Sequence, residues 1–79
     1  MKVDLLLFGI AKDICATDRL THVFEGDSVA SLKASLEKEY PKFLDLRSFV
    51  IAVNNEYATP DQKVSSSDEI AIIPPVSGG

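Results

Sequence analysis

The residues whose types and spacing offer chemistry stand together at the C-terminal end, in Pro74-Pro75-Val76-Ser77-Gly78-Gly79. Two consecutive prolines fix φ and remove two backbone donors, so they stop the strand before them and favour an extended exit. Two glycines add no side chains, which leaves a segment thin enough to enter a narrow cleft. What that segment presents is one group, the α-carboxylate of Gly79, and that carboxylate is the expected functional site. A frayed terminus would have a similar composition. Against fraying, Glu69-Ile70-Ala71-Ile72-Ile73 has the pattern of a buried strand running straight into Pro74, with no polar linker between core and tail. Residues 74–79 are therefore expected to form a flexible tail on a single domain spanning 1–79.

No other cluster of side chains suggests catalysis. His22 lies in a strand-like stretch without neighbours of metal-ligand type, a setting in which a histidine is far more often structural. The single cysteine, Cys15, cannot form an internal disulfide and suits a reducing cytoplasm; a small buried hydrophobe is its commoner role. The glycines form no phosphate-cradling loop, and the twelve acidic residues show no calcium-loop pattern, so no bound metal or cofactor is expected. A net charge of −4 argues against nucleic-acid binding and fits docking onto a basic protein surface. The apolar run Leu5 to Ala11 is bounded by Asp4 and by Lys12-Asp13, which is wrong for a signal peptide, and no run approaches the ~18–20 residues of a membrane span. A cytoplasmic location without membrane contact follows as the expectation. A chain of 79 residues, 46% apolar and 25% charged, supports one small core that buries roughly 60–65% of its unfolded surface, but no deep pocket. Such a protein is expected to enter chemistry as a substrate or carrier for larger partners.

The elements that must position the tail can be read from periodicity. Lys2 to Phe8 reads as a largely buried strand ending at Gly9, and Leu20 to Glu25 as a second strand closed by Gly26-Asp27. Ala11 to Asp18 between them reads as a turn of helix or an irregular connection. Ser28 is a candidate N-cap for a helix whose apolar face is Val29, Leu32, Leu36 and Tyr40, with Pro41 as its stop. Lys33, Glu37 and Lys38 fall on the opposite, solvated face. Phe49 to Val53 reads as another buried strand, the pair Asn54-Asn55 as a turn, and Glu56 to Ala58 as a short strand before the last one at Glu69 to Ile73. The predicted order β-β-α-β-β-β packs one helix across one face of a mixed sheet.

Three segments carry a resemblance. Leu7-Phe8-Gly9-Ile10-Ala11-Lys12-Asp13, Val53-Asn54-Asn55-Glu56-Tyr57, and Asp68 through Pro74-Pro75-Val76-Ser77-Gly78-Gly79 resemble the small subunits of molybdopterin synthase, a family of ubiquitin-like β-grasp sulfur carriers. The segments keep the family's order and spacing, and the resemblance covers essentially the whole chain. Departures are Lys12, where the family often has Arg, and Val64-Ser65-Ser66-Ser67-Asp68, which lacks the family's turn glycine. The resemblance implies an α+β fold, a ubiquitin-like β-grasp with a mixed sheet of about five strands packed on one main helix. It also implies a cycle at Gly79. A ubiquitin-activating-like adenylyltransferase consumes ATP to adenylate the carboxylate, and a sulfur donor enzyme converts the adenylate to a thiocarboxylate. The large catalytic subunit of molybdopterin synthase then accepts the sulfur onto a pterin precursor. Phe8, Tyr57 and Ile73, with Pro74, Pro75, Val76, Ser77 and Gly78, are the implied partner-binding residues. Three rival readings are the thiamine-pathway carrier, a ubiquitin-like protein modifier joined to lysines, and a β-grasp interaction domain with an inert tail.

Overall fold

Alternation of side chains sets the first strand of the computed structural model, which describes residues 1–45 and 49–74. In β1 (Lys2–Leu7) Val3, Leu5 and Leu7 are buried while Lys2 and Asp4 are exposed, the period-2 pattern of a strand with one covered face. The strand stops one residue before Phe8, because Gly9 takes φ 55 and ψ −132 and the Ala11 amide bonds back to the Phe8 carbonyl at 3.0 Å. That geometry is close to a type II′ turn, which places glycine at its first central position. The turn launches α1 (Ile10–Cys15), where only a turn of helix or an irregular connection is expected. The helix ends on Ala16 in the left-handed region, at φ 59. The chain then enters β2 (Arg19–Val23), which begins and ends earlier than the apolar pattern suggests.

The principal helix, α2 (Val29–Glu39), is capped as its sequence predicts: the Ser31 amide donates to Ser28 Oγ at 3.1 Å. The Val29 and Ala30 amides donate to the carbonyls of Gln62 and Pro60, so the first turn is satisfied by a neighbouring loop. Val29, Leu32 and Leu36 are buried against the sheet. On the face expected to be solvated, Lys38 is exposed but Lys33 is half-buried, its ammonium 5.1 Å from the centre of the Phe49 ring. The alkyl stem packs while the charge rests on the aromatic face. A 3-10 turn at Pro41–Asp45, which periodicity does not mark, buries Phe43 against Phe49, with ring centres 5.1 Å apart.

Three further strands, β3 (Val50–Val53), β4 (Glu56–Tyr57) and β5 (Glu69–Ile73), complete a five-stranded sheet in the order β2-β1-β5-β3-β4. β1 and β5 are parallel at the centre, and every other pairing is antiparallel. Asn54 and Asn55 both have positive φ, 52 and 69, the signature of the tight turn that fits the twist of a two-residue hairpin. The turn at Ser65 to Asp68, without its glycine, is closed by carboxylate chemistry. Asp68 Oδ2 accepts from the Ser65 amide at 2.8 Å, and Asp68 Oδ1 accepts from Asn54 Nδ2 at 3.1 Å. Both contacts hold the Asp68 carboxyl below its ordinary range. The core lies between α2 and the inward residues of β1, β3 and β5. Among the described residues no helix covers the other face of the sheet.

Candidate functional site: the open sheet face and the base of the tail

The registers assemble an apolar row across that uncovered face. Leu6 pairs with Ala71, Ala71 with Ala52, and Ala52 with Tyr57, so one residue from each of four strands lies side by side. Ile73 pairs with Val50 one step further along. Leu7 stands beside Ile72, so Phe8 and Ile73, next in each parallel strand, leave the ladder together on the opposite face. The result is a shallow concavity of about 370 Å³ walled by Leu6, Phe8, Tyr57 and Ile73, with the small side chains of Ala52 and Ala71 between them. Phe8 is 50% exposed and Tyr57 76% exposed, whereas Ile73 is half-buried. Phe8, Tyr57 and Ile73, the residues of the strands predicted to dock, therefore all line this one concavity.

Pro74, also half-buried, follows Ile73 directly and sits against Gly9. The base of the tail thus emerges from the edge of the apolar concavity. Pro75, Val76, Ser77, Gly78 and Gly79, predicted as tail-insertion and acceptor residues, lie outside the described residues. Leu6, Ala52 and Ala71 belong to the site but escape a sequence reading, since nothing in their types distinguishes them from core.

Charge is arranged around this patch. Asp4 and Glu69 are register neighbours on the same face, and Thr21 Oγ1 donates to Asp4 Oδ1 at 3.0 Å. Lys12 is exposed on α1, the helix that starts two residues after Phe8. Among the described residues no group of three His, Cys, Asp or Glu is placed to hold a metal ion. His22 is 6% exposed, hydrogen-bonded through Nε2 to Ser35 Oγ at 2.8 Å and stacked on Phe24. Burial pushes its pKa down, partly opposed by Glu39, so the neutral ring is a core residue. Cys15 packs half-buried against the core, and burial pushes its thiol pKa up, away from the reactive thiolate.

A family model described as the ThiS family matches residues 5–79, a span that contains the concavity, the tail base and the final glycines. The chain belongs to the ThiS family. It is 41% identical to a protein of Dictyostelium discoideum named molybdopterin synthase sulfur carrier subunit, over 95% of this chain and 93% of the relative. Among solved structures it matches SAMP1 of Haloferax volcanii with a TM-score of 0.80 and 21% identity, each chain covered in full. It also matches, with a TM-score of 0.66 and 23% identity over the full length of both chains, a chain of the Helicobacter pylori complex of subunits 1 and 2 of molybdopterin-converting factor. The ThiS-family chain has the ubiquitin-like β-grasp fold that the resemblance implied: a mixed five-stranded sheet on one main helix. No helix among the described residues is long and apolar enough to cross a membrane.

Proposed function

We propose that this protein is the sulfur carrier of a molybdopterin synthase, working in the cytoplasm through a covalent cycle at Gly79. The observation that carries the reading is the ThiS-family match that runs through Gly79, together with 41% identity to a named sulfur carrier subunit. The geometry supports it: an apolar, outward-facing patch opens beside the root of the tail, where a partner can hold the body while the tail enters its active site.

The chemistry follows from the weakness of a carboxylate as an electrophile. On an activating enzyme resembling those of the ubiquitin system, a Gly79 oxygen attacks the α-phosphorus of ATP and pyrophosphate leaves. The acyl-adenylate carbon is then attacked by hydrosulfide-level sulfur from a donor enzyme; AMP leaves with the original oxygen and one proton is released. The resulting thiocarboxylate is a soft nucleophile. Its sulfur attacks a carbon of the pterin precursor held by the large catalytic subunit, and an oxygen leaving group departs from that carbon. Water then cleaves the acyl C–S bond of the resulting thioester, leaving sulfur on the pterin and restoring the Gly79 carboxylate. The carrier itself needs no bound cofactor. Gly78 permits passage through a constriction, and Pro74 and Pro75 lower the entropy lost on insertion. The H. pylori complex of the two subunits favours the large subunit as one of the partners that dock here.

The test is mass spectrometry of the C-terminal peptide after incubation with ATP, the host's activating enzyme and a sulfur donor. The expected product has one oxygen of Gly79 replaced by sulfur, localised by selective alkylation because oxidation of Met1 or Cys15 gives nearly the same mass. A Gly79 carboxylate that persists under these conditions overturns the reading. Lysine-linked conjugates in host extract would instead favour the protein-modifier reading.

A further inference from the structure

We propose that Gly9 is a positioning residue for the tail: its missing side chain forms the seat of the Pro74 ring and fixes the angle at which the tail leaves the docking face. The inference rests on the carrier reading above and goes beyond it, since it assigns tail alignment to a residue far from the tail in sequence.

Two separate observations meet at Gly9. Its backbone, at φ 55 and ψ −132, is a conformation that side-chain-bearing residues rarely adopt. Independently, a Cβ built on it would lie 3.1 Å from Pro74 Cγ and 3.9 Å from Pro74 Cδ. Carbon atoms pack at about 3.5–4.0 Å, so any side chain at position 9 must push the ring away by several tenths of an ångström. The turn conformation alone explains a glycine there; it does not explain why the proline ring is pressed into the space the side chain would fill. The parallel pairing of β1 with β5 accounts for the meeting, since it brings the residues after Phe8 and after Ile73 to the same end of the sheet.

The functional consequence comes from stiffness. The ring of Pro74 and the following Pro75 restrict rotation, so a shift at the seat changes the direction of the chain beyond it. Gly79 stands five positions beyond Pro74, a reach of up to about 17 Å when extended. A ring displaced by about 0.5 Å shifts the starting point of the tail relative to Phe8 and Ile73, and misplacement of about 1 Å can cost a reacting group about 100-fold in rate. Docking through Phe8, Tyr57 and Ile73 need not change. Gly9 thus acts through Pro74 on the step at Gly79, not on affinity for the partner.

The experiment is a double-mutant cycle in the full-length protein with Gly9→Ala, Pro74→Ala and the double variant. ATP–pyrophosphate exchange with the host adenylyltransferase gives kcat and KM for the carrier, calorimetry gives docking Kd, and thermal melts report folding. Gly9→Ala is expected to lower kcat ten-fold or more with Kd within two-fold. In the Pro74→Ala background, where there is no ring to displace, Gly9→Ala is expected to change kcat less than two-fold, although the turn strain and its loss of Tm persist. Equal losses of kcat with and without the ring would assign the effect to turn strain and overturn the proposal. Should Gly9→Ala fail to fold, Pro74→Ala decides: an unseated tail root lowers kcat at least three-fold with Tm unchanged, and unaltered kcat overturns the proposal. Wild-type protein that is not adenylated at all overturns the carrier reading and this inference with it, whereas active wild type with insensitive variants overturns only the inference.

Discussion

Tyr57 is the sharpest probe of the proposed docking face. It is 76% exposed, and it ends the row that starts at Leu6 and crosses Ala71 and Ala52. A large aromatic side chain buries about 150–250 Å², so at this exposure Tyr57 offers a partner about 150 Å². Covering half of that area contributes about 2 kcal/mol at about 25 cal/mol per Å², and ordering and desolvation of the phenol offset much of any further cover. Tyr57→Ala should therefore weaken docking about 30-fold. The fold should lose less than about 1 kcal/mol, because the residue sits on a two-residue edge strand and packs little. Val23→Ala is the matched control. Val23 is 68% exposed on the same open face, but on β2 at the opposite edge of the sheet. The assay is calorimetric titration with the large catalytic subunit, paired with the carrier KM for the adenylyltransferase. Affinity within two-fold of wild type for both partners in Tyr57→Ala refutes the assignment of this face, as would an equal loss in Val23→Ala.

Three other outcomes can be checked on the isolated protein. Burial lowers the His22 pKa below its ordinary 6.5, so the folded state holds the ring neutral; its contribution to stability is complete above 6.5 and is lost as pH falls towards the folded value. His22→Gln, which keeps a hydrogen-bonding partner for Ser35 but does not titrate, should flatten the decline of Tm with pH in that acidic window. Asn54→Ala removes a residue tolerant of φ 52 and two side-chain hydrogen bonds, 3.1 Å to Asp68 and 3.0 Å from the Glu69 amide. It should cost about 2 kcal/mol and about 8–16 °C in Tm by calorimetry. Ala16→Gly relieves a left-handed residue at the end of α1 and should add about 0.5–1 kcal/mol in urea unfolding, with an unchanged m-value.

In β1 and β5 a polar residue marks the parity of the strand, but which of its neighbours form the open face shows only in the fold. Alternation groups Leu6 and Phe8 with Asp4, and Ala71 and Ile73 with Glu69, and the structure shows these to be the outward sides. Phe49-Val50-Ile51-Ala52-Val53 has no such marker. Its outward residues, Val50 and Ala52, emerge only from pairing with Ile73 and Ala71. The six-residue α1 is too short to show a helical period, and its limits are set by backbone conformation. Gly9 can be suspected from its type, but an alanine in the left-handed region cannot. The 3-10 turn after Pro41 and the half-buried Lys33 depend on where Phe43 and Phe49 meet, a long-range packing event that no local pattern encodes.

The central parallel pair makes the site a single device. Parallel β1 and β5 point their C-terminal ends the same way, so Phe8 and Ile73 flank the exit of the tail and Gly9 meets Pro74. Were the two strands antiparallel, Phe8 would lie a strand length, roughly 17–20 Å, from Pro74. A partner gripping Phe8 would then leave the reactive end poorly placed. Parallel pairing requires a long crossover, and residues 8–68 between the two strands supply it, including α1, β2, α2, β3 and β4. The same crossover places α2 against the inner face, and among the described residues no helix covers the outer one. On this topology a change at the β1 end can alter the tail without touching it, and the Gly9–Pro74 double-mutant cycle measures that coupling.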